Sequence, residues 1–202
     1  MVPFRISKTL LSGIPEDECF CPLIWMHNIQ NGGVLWPNTF RKKPIAVKIN
    51  EWTKPILLKN KNYILIKRVS SREGRRRINA GILFKKNFKT SYIAIENHVN
   101  YIAKLKGDIT ETEAYGLTTI LNSILYSRYF QILNGNTQVN ASEIANIPLP
   151  SINKINRVGS MVKEAREHLT ELAKENIVGV SLDIDKRIRK GLNEHILGST
   201  RG

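Results

Sequence analysis

Two groups of side chains in this sequence have the types and spacing for chemistry, and in both it is the chemistry of binding. Asn136, Thr137, Gln138 and Asn140 crowd amides and a hydroxyl between two apolar stretches. Asn and Gln carry a donor and an acceptor side by side, so they can bond bidentately to an adenine edge. A polar loop that braces itself fits the same residues. Asn140, just before Ala141-Ser142-Glu143, also stands where a helix cap is placed. The second group is Lys67, Arg68, Ser70, Ser71, Arg72 and the run Arg75-Arg76-Arg77, interrupted by Gly74. Such cations and hydroxyls fix a protein on phosphates, and an arginine fork also matches a guanine edge. Asn97 and His98 add a weaker polar pair; His98 has no Cys or His at metal-ligand spacing.

The charge supports a polyanionic partner. The 202 residues carry 31 Lys+Arg against 17 Asp+Glu, a net of +14. Residues 40–106 hold 18 of those cations and 3 of the acids, so the excess belongs to one segment. A local basic field of this size points first to nucleic acid. A membrane surface would call for a basic amphipathic helix or a lipidation signal, and neither is present. No apolar run of about 18 residues occurs to span a bilayer, and Met1-Val2-Pro3-Phe4-Arg5 opens without a signal-peptide core. Cys19 and Cys21, the only cysteines, are too close for a relaxed disulfide, and with His27 they fall short of a four-ligand zinc pattern. A reduced, cytoplasmic chain is the expectation.

Catalytic constellations are missing from the sequence. It contains no G-x-G-x-x-G, no phosphate loop and no nucleophile elbow. The acids of the basic segment, Glu51, Glu73 and Glu96, are scattered. The residues describe a binding module.

The elements that position these groups are legible in outline. Tyr63 to Arg68 is the clearest strand, and Ile78–Phe84 and Ser91–Ile95 read as two more. The first two would form a hairpin that presents Arg and Lys at its tip. Asn31-Gly32-Gly33 marks a turn. Thr110 three residues before Glu113 is the spacing of a capping box. Ala114, Leu117, Leu121, Ile124 and Leu125 then recur as one apolar helical face, with Gly135 as the exit. Tyr126, Tyr129 and Phe130 on that helix read as core. Beyond Pro150, Ile155, Val158, Val162, Ala165, Leu169 and Leu172 follow a 3,4 heptad seam. The expected fold is α+β: a small, mostly antiparallel sheet, then packed helices and a heptad-patterned C-terminal helix. Residues 1–150 would form a recognition domain and 151–202 a helical region, with self-association through residues 154–175.

The motifs also carry a resemblance. Lys67-Arg68-Val69-Ser70-Ser71-Arg72-Glu73 followed by Arg75-Arg76-Arg77-Ile78 resembles the "R-x-S-S-K-E-x-R-R-I" stretch of bacterial N6-adenine DNA methyltransferases of the BsuBI/PstI and Eco57I type. Glu96-Asn97-His98-Val99-Asn100-Tyr101-Ile102 is similar to their "E-N-H-x-N-Y-I". Gly135-Asn136-Thr137-Gln138-Val139-Asn140 is similar to their "G-N-T-Q-V-N-A-x-x-L". Ala114-Tyr115-Gly116-Leu117, Leu121-Asn122-Ser123 and Arg128-Tyr129-Phe130 fit the same pattern, so the likeness covers about residues 4–150. Ile147-Pro148-Leu149-Pro150 before a helix also resembles specificity subunits of type I restriction systems.

The resemblance implies a double-stranded DNA target recognition domain of a restriction-modification enzyme. The catalytic domain, with its S-adenosylmethionine pocket and Asn-Pro-Pro-Tyr/Phe motif, would lie elsewhere in the protein or in a partner subunit. Neither motif occurs here, so this chain is expected to hold no cofactor of its own. A non-catalytic RNA-binding or assembly protein is the alternative. Its mark would be exposed aromatics for stacking, and aromatics make up only 7% of the chain.

Overall fold

The computed structural model describes residues 10–11, 19–38, 43–70, 76–133 and 138–173. The chain divides into two units, residues 1–160 and 161–202. The first is α+β and contains two five-stranded sheets where the sequence reading expected one small sheet.

One sheet takes the order β1-β5-β2-β9-β6, from Leu10–Leu11 (β1), Phe20–Ile24 (β2), Ala46–Lys48 (β5), Leu58–Lys59 (β6) and Tyr92–Ile95 (β9). The other runs β10-β7-β8-β4-β3, from Ile29–Gln30 (β3), Gly33–Val34 (β4), Tyr63–Lys67 (β7), Ala80–Leu83 (β8) and Val99–Ile102 (β10). Most pairings are antiparallel; β2 with β9 and β4 with β8 are the parallel exceptions.

β7 lies between β10 and β8, with Ile66 opposite Asn100 on one side and Ala80 on the other. Its side chains alternate between two cores, as strand geometry requires. Ile64 and Ile66 join Ala114, Leu117, Leu121, Phe130 and Ile155 under the helices. Tyr63 and Leu65 join Ile24, Ile93 and Ile95 between the sheets. β2 and β9 alternate likewise, so that Leu23 and Ala94 face a third cluster with Cys21 and Trp25. Burial pushes the Cys21 thiol up to about 12, so it stays protonated at neutral pH.

The Asn31-Gly32 turn joins β3 to β4 with positive φ at both residues, 50° and 77°. That is the two-residue hairpin for which Asn-Gly is favoured. Gly81 in β8 is required by close approach, because a Cβ there would lie 2.5 Å from the Gly33 carbonyl oxygen.

Helix α1, Glu111–Leu121, begins with the expected capping box. The Glu113 N–H donates to Thr110 Oγ1 at 3.2 Å, and the Thr110 N–H donates to Glu113 Oε2 at 2.8 Å. The apolar face does not continue as the periodicity predicted. α1 stops at Leu121, and α2, Ile124–Leu133, starts on a new line. Ala114, Leu117 and Leu121 are buried, whereas Ile124 and Leu125 are 65% and 71% exposed. The cause is Asn122, whose carboxamide accepts from Ala80 N at 2.8 Å and donates to Ala80 O at 2.9 Å. This anchor on the end of β8 breaks the helix and brings Tyr126, Ser127 and Phe130 inward instead. Gly135 lies outside the described residues.

α3, Ala141–Ala145, is followed by a helical stretch over residues 152–160 that closes the first unit. Residues 161–173 of the second unit are helical. Of the heptad seam, Ile155 is buried, while Leu169 and Leu172 are exposed. No described helix is long and apolar enough to cross a membrane.

Candidate nucleic-acid interface

The C-terminal end of β7 is the point where the sequence motifs meet. The Lys67 N–H donates to the Asn79 carbonyl at 3.0 Å, and the Arg68 N–H donates to the His98 carbonyl at 2.8 Å. The Arg68 carbonyl accepts from Val139 N at 2.7 Å, and Val69 forms an isolated antiparallel bridge with Gln138. Asn100 Nδ2 donates to the Val139 carbonyl at 2.8 Å and locks the same crossing from β10. Three stretches far apart in sequence are thus stitched together by backbone bonds.

Two clefts open beside this junction. One, about 280 Å³, is lined by Trp25, Lys43, Lys67, Ser70, Asn79, Glu96 and His98, among others. The second, about 290 Å³, is lined by Gln30, Asn31, Gly32, Lys67, Arg76, Asn79 and Asn122. Lys67 and Asn79 belong to both. Lys43 Nζ sits 4.3 Å from the centre of the Trp25 ring, a cation–π contact that holds one charge at the first cleft. Glu96 is buried, and its Oε1 pairs with Nδ1 of the exposed His98.

The predicted site residues divide into three sets. Lys67, Arg68, Asn97 and His98 stand at or beside the junction, with the Arg68 guanidinium 3.5 Å from the Asn97 carbonyl. Arg76 is exposed on the second cleft, and Gln138 is exposed with its backbone in the bridge. Ser70 and Arg77 are not at an outward tip. They are buried, 5% and 8% exposed. Arg77 Nη1 reaches Ser70 Oγ at 3.5 Å, and its backbone N–H donates to Ser127 Oγ. Arg77 lies at a bend ahead of β8, where Ser127 of α2 holds its N–H and Ser70 meets its guanidinium. Asn140 is the N-cap of α3, where its N–H donates to Glu143 Oε2 at 2.8 Å. Ser71, Arg72, Arg75, Asn136 and Thr137 lie outside the described residues. β7 and β8 do pair as the expected hairpin, but the tip falls in that same gap.

Sequence reasoning missed Lys43, Asn79 and Glu96 as cleft residues. Asn79 directly follows the Arg-Arg-Arg-Ile run, and Lys43 closes Arg41-Lys42-Lys43, so proximity to basic runs was the available signal.

The basic segment is also not one uniform face. Lys85 pairs with Asp108 at 2.9 Å, Lys86 with Glu111 at 3.0 Å and Lys104 with Glu113 at 2.8 Å. Burial raises the Asp108 carboxyl, but the Lys85 hydrogen bond, the Asn62 N–H and the charges of Lys85 and Lys61 outweigh it and hold it below its ordinary value. Burial likewise raises Glu113, and the hydrogen bonds from Lys104 and Thr110 outweigh it. The acids before and in the first turn of α1 therefore neutralise the far part of the segment. Lys43, Lys67 and Arg76 line the clefts. Among the described residues no cluster of three His, Cys, Asp or Glu is placed to hold a metal.

No family model matches the chain. It is 33% identical over 172 residues to the type II methyltransferase M.BsuBI of Bacillus subtilis, which takes in 85% of this chain and 34% of that protein. It is 30% identical over 184 residues to the type II methyltransferase M.PstI of Providencia stuartii, 91% of this chain and 36% of that protein. The chain spans about a third of the length of these curated relatives, and its likeness is to one part of a type II methyltransferase.

Proposed function

We propose that this chain is the double-stranded DNA recognition module of an adenine-specific DNA methyltransferase in a restriction-modification system. It grips the duplex and positions the target adenine for a catalytic domain outside these residues. Methylating an adenine requires that the base leave the stack, so a separate surface must hold the helix meanwhile. The observation that carries this reading is the junction at the end of β7. There Lys67 and Arg68, Asn97 and His98, and Gln138 are brought together from three motifs beside two clefts that also hold Lys43 and Arg76. Cations flanking amides suit a division between phosphate grip and base readout. The two relatives, each about three times the matched length, supply the catalytic context. S-adenosylmethionine belongs to that context, and no step of methyl transfer is assigned to residues of this chain.

The placement of the exposed aromatics, away from both clefts, argues for a duplex over a single strand. Trp52 and Tyr101 are exposed, but neither lines either cleft, and Trp25 is buried beneath Lys43. Selection from a library of random duplexes, followed by fluorescence anisotropy, tests the proposal. One enriched sequence should emerge, bound at least a hundredfold more tightly than random duplex. Tighter binding to single-stranded RNA than to any duplex would replace this reading with the RNA-binding one. The exposed seam residues Leu169 and Leu172 support self-association, which sedimentation velocity of the full chain tests directly.

A further inference from the structure

Most asparagines around the β7 junction are committed to the fold. Asn122 bonds both backbone groups of Ala80, Asn100 bonds Val139, and Asn62 bonds Ile109 and Lys85. Asn140 caps α3. Asn79 differs. Its backbone carbonyl holds Lys67, but its carboxamide makes a single long contact, Nδ2 to the Arg76 carbonyl at 3.4 Å. Its Oδ1 has no partner among the described residues. It is half-buried, and it stands in the wall common to both clefts.

Its neighbours give the site a direction. Lys67 shares both clefts with it, Arg76 lies on one and Lys43 on the other. A phosphate backbone held by these cations would run past Asn79 on both sides and turn base edges toward it. Asn79 sits one residue before β8, whose end is anchored by Asn122 on Ala80, so its main chain is held on a rigid element. A pre-positioned carboxamide with an open acceptor and a nearly open donor matches one base edge best: the N6 donor and N7 acceptor of adenine in the major groove.

We infer that Asn79 is a specificity-determining residue that reads an adenine of the recognised duplex, with Lys43, Lys67 and Arg76 gripping the flanking phosphates. This rests on the duplex-recognition reading above and names the residue that discriminates.

The test uses the full chain and the site obtained by library selection. Asn79→Ala should lose roughly 5- to 150-fold on the selected duplex and less than about twofold on random duplex, with an unchanged melting temperature. Asn79→Asp, which offers only acceptors, should shift the preference at one position from adenine toward cytosine on reselection. Replacing that adenine by 7-deazaadenine should weaken the wild type and leave Asn79→Ala unaffected, because the N7 acceptor is then already unread. If the wild type selects no sequence, the recognition reading itself fails. If it selects one and Asn79→Ala selects the same one with equal discrimination, the assignment to Asn79 is overturned. It is likewise overturned if Asn79→Ala weakens selected and random duplexes equally.

Discussion

Gly116 and Gly159 bring two helical stretches into direct backbone contact. A Cβ on Gly159 would stand 1.9 Å from the Thr112 carbonyl oxygen, and one on Gly116 would stand 2.0 Å from the Ile155 carbonyl oxygen. This crossing lets Ile155 reach the core under β7. Gly159→Ala gains helix propensity of about 1 kcal/mol in isolation. Here the added methyl meets backbone, which cannot swing aside as a side chain would. The variant is expected to be less stable by about 1–3 kcal/mol despite the propensity gain. Urea unfolding of wild type and variant reads the difference. A stabilised variant would show that the crossing is looser than these distances.

Asn122 and Ala80 give the second expectation. Asn122→Ala would leave a backbone N–H and carbonyl at the end of β8 without partners, at a cost of about 2 kcal/mol. Asn122→Asp keeps the acceptor for Ala80 N but loses the donor to Ala80 O, so it should fall between the two. Thermal melts of the three proteins give that order. Equal stability of Asn122→Ala and wild type would remove the anchor as the cause of the helix break.

The same residue shows what the sequence could and could not say. Local signals were legible because they are satisfied locally: the Thr110–Glu113 capping box, the Asn31-Gly32 turn and the Tyr63–Lys67 strand all appear where their chemistry placed them. The break at Asn122 was not legible. A long-range bond to Ala80 decides it, and within the periodic pattern Asn122-Ser123 reads only as two polar positions. Ile124 and Leu125 accordingly leave the face that the periodicity predicts for them. The candidate site behaved alike. The basic and amide motifs were visible, but their meeting at Val69 and Gln138 depends on a tertiary bridge. The burial of Arg77 likewise depends on long-range bonds, to Ser127 and Ser70, that no local pattern encodes.

Acid should weaken the fold through the start of α1. Asp108 and Glu113 are held below their ordinary values of 3.8 and 4.5 in the folded chain. The unfolded chain therefore binds more protons in that range. Their contribution is complete above those ordinary values and is lost as pH falls through the lower folded values. Urea midpoints should be flat between about pH 7 and pH 5.5 and should drop below about pH 4.5. Glu113→Gln removes the charge that Lys104 meets at 2.8 Å. It should be less stable than wild type at pH 7, and the two should converge as pH approaches about 2.5. A constant difference across that range would exclude Glu113 as a source of the acid sensitivity.

Arg76 and Arg77 are adjacent in sequence and opposite in placement, and paired alanine variants separate grip from scaffold. Arg76 is exposed on a cleft that it shares with Lys67 and Asn79. Arg77 is 8% exposed, with Nη1 against Ser70 and its N–H on Ser127. Arg76→Ala should leave the melting temperature within about 1 °C of wild type, as surface changes do. If its guanidinium meets a phosphate, it should weaken binding to selected and random duplexes alike. The salt dependence should then flatten by about one unit of slope. Arg77→Ala should act the other way. It empties a buried position and strips Ser70 of a partner, so it should cost about 2–4 kcal/mol of stability. Its salt slope, measured well below its melting temperature, should match wild type, because that side chain has no path to the duplex. Anisotropy titrations at two salt concentrations and a melt of each protein give both readouts. A reduced slope for Arg77→Ala with an unchanged melt would mean that the arginine leaves its pocket when DNA binds.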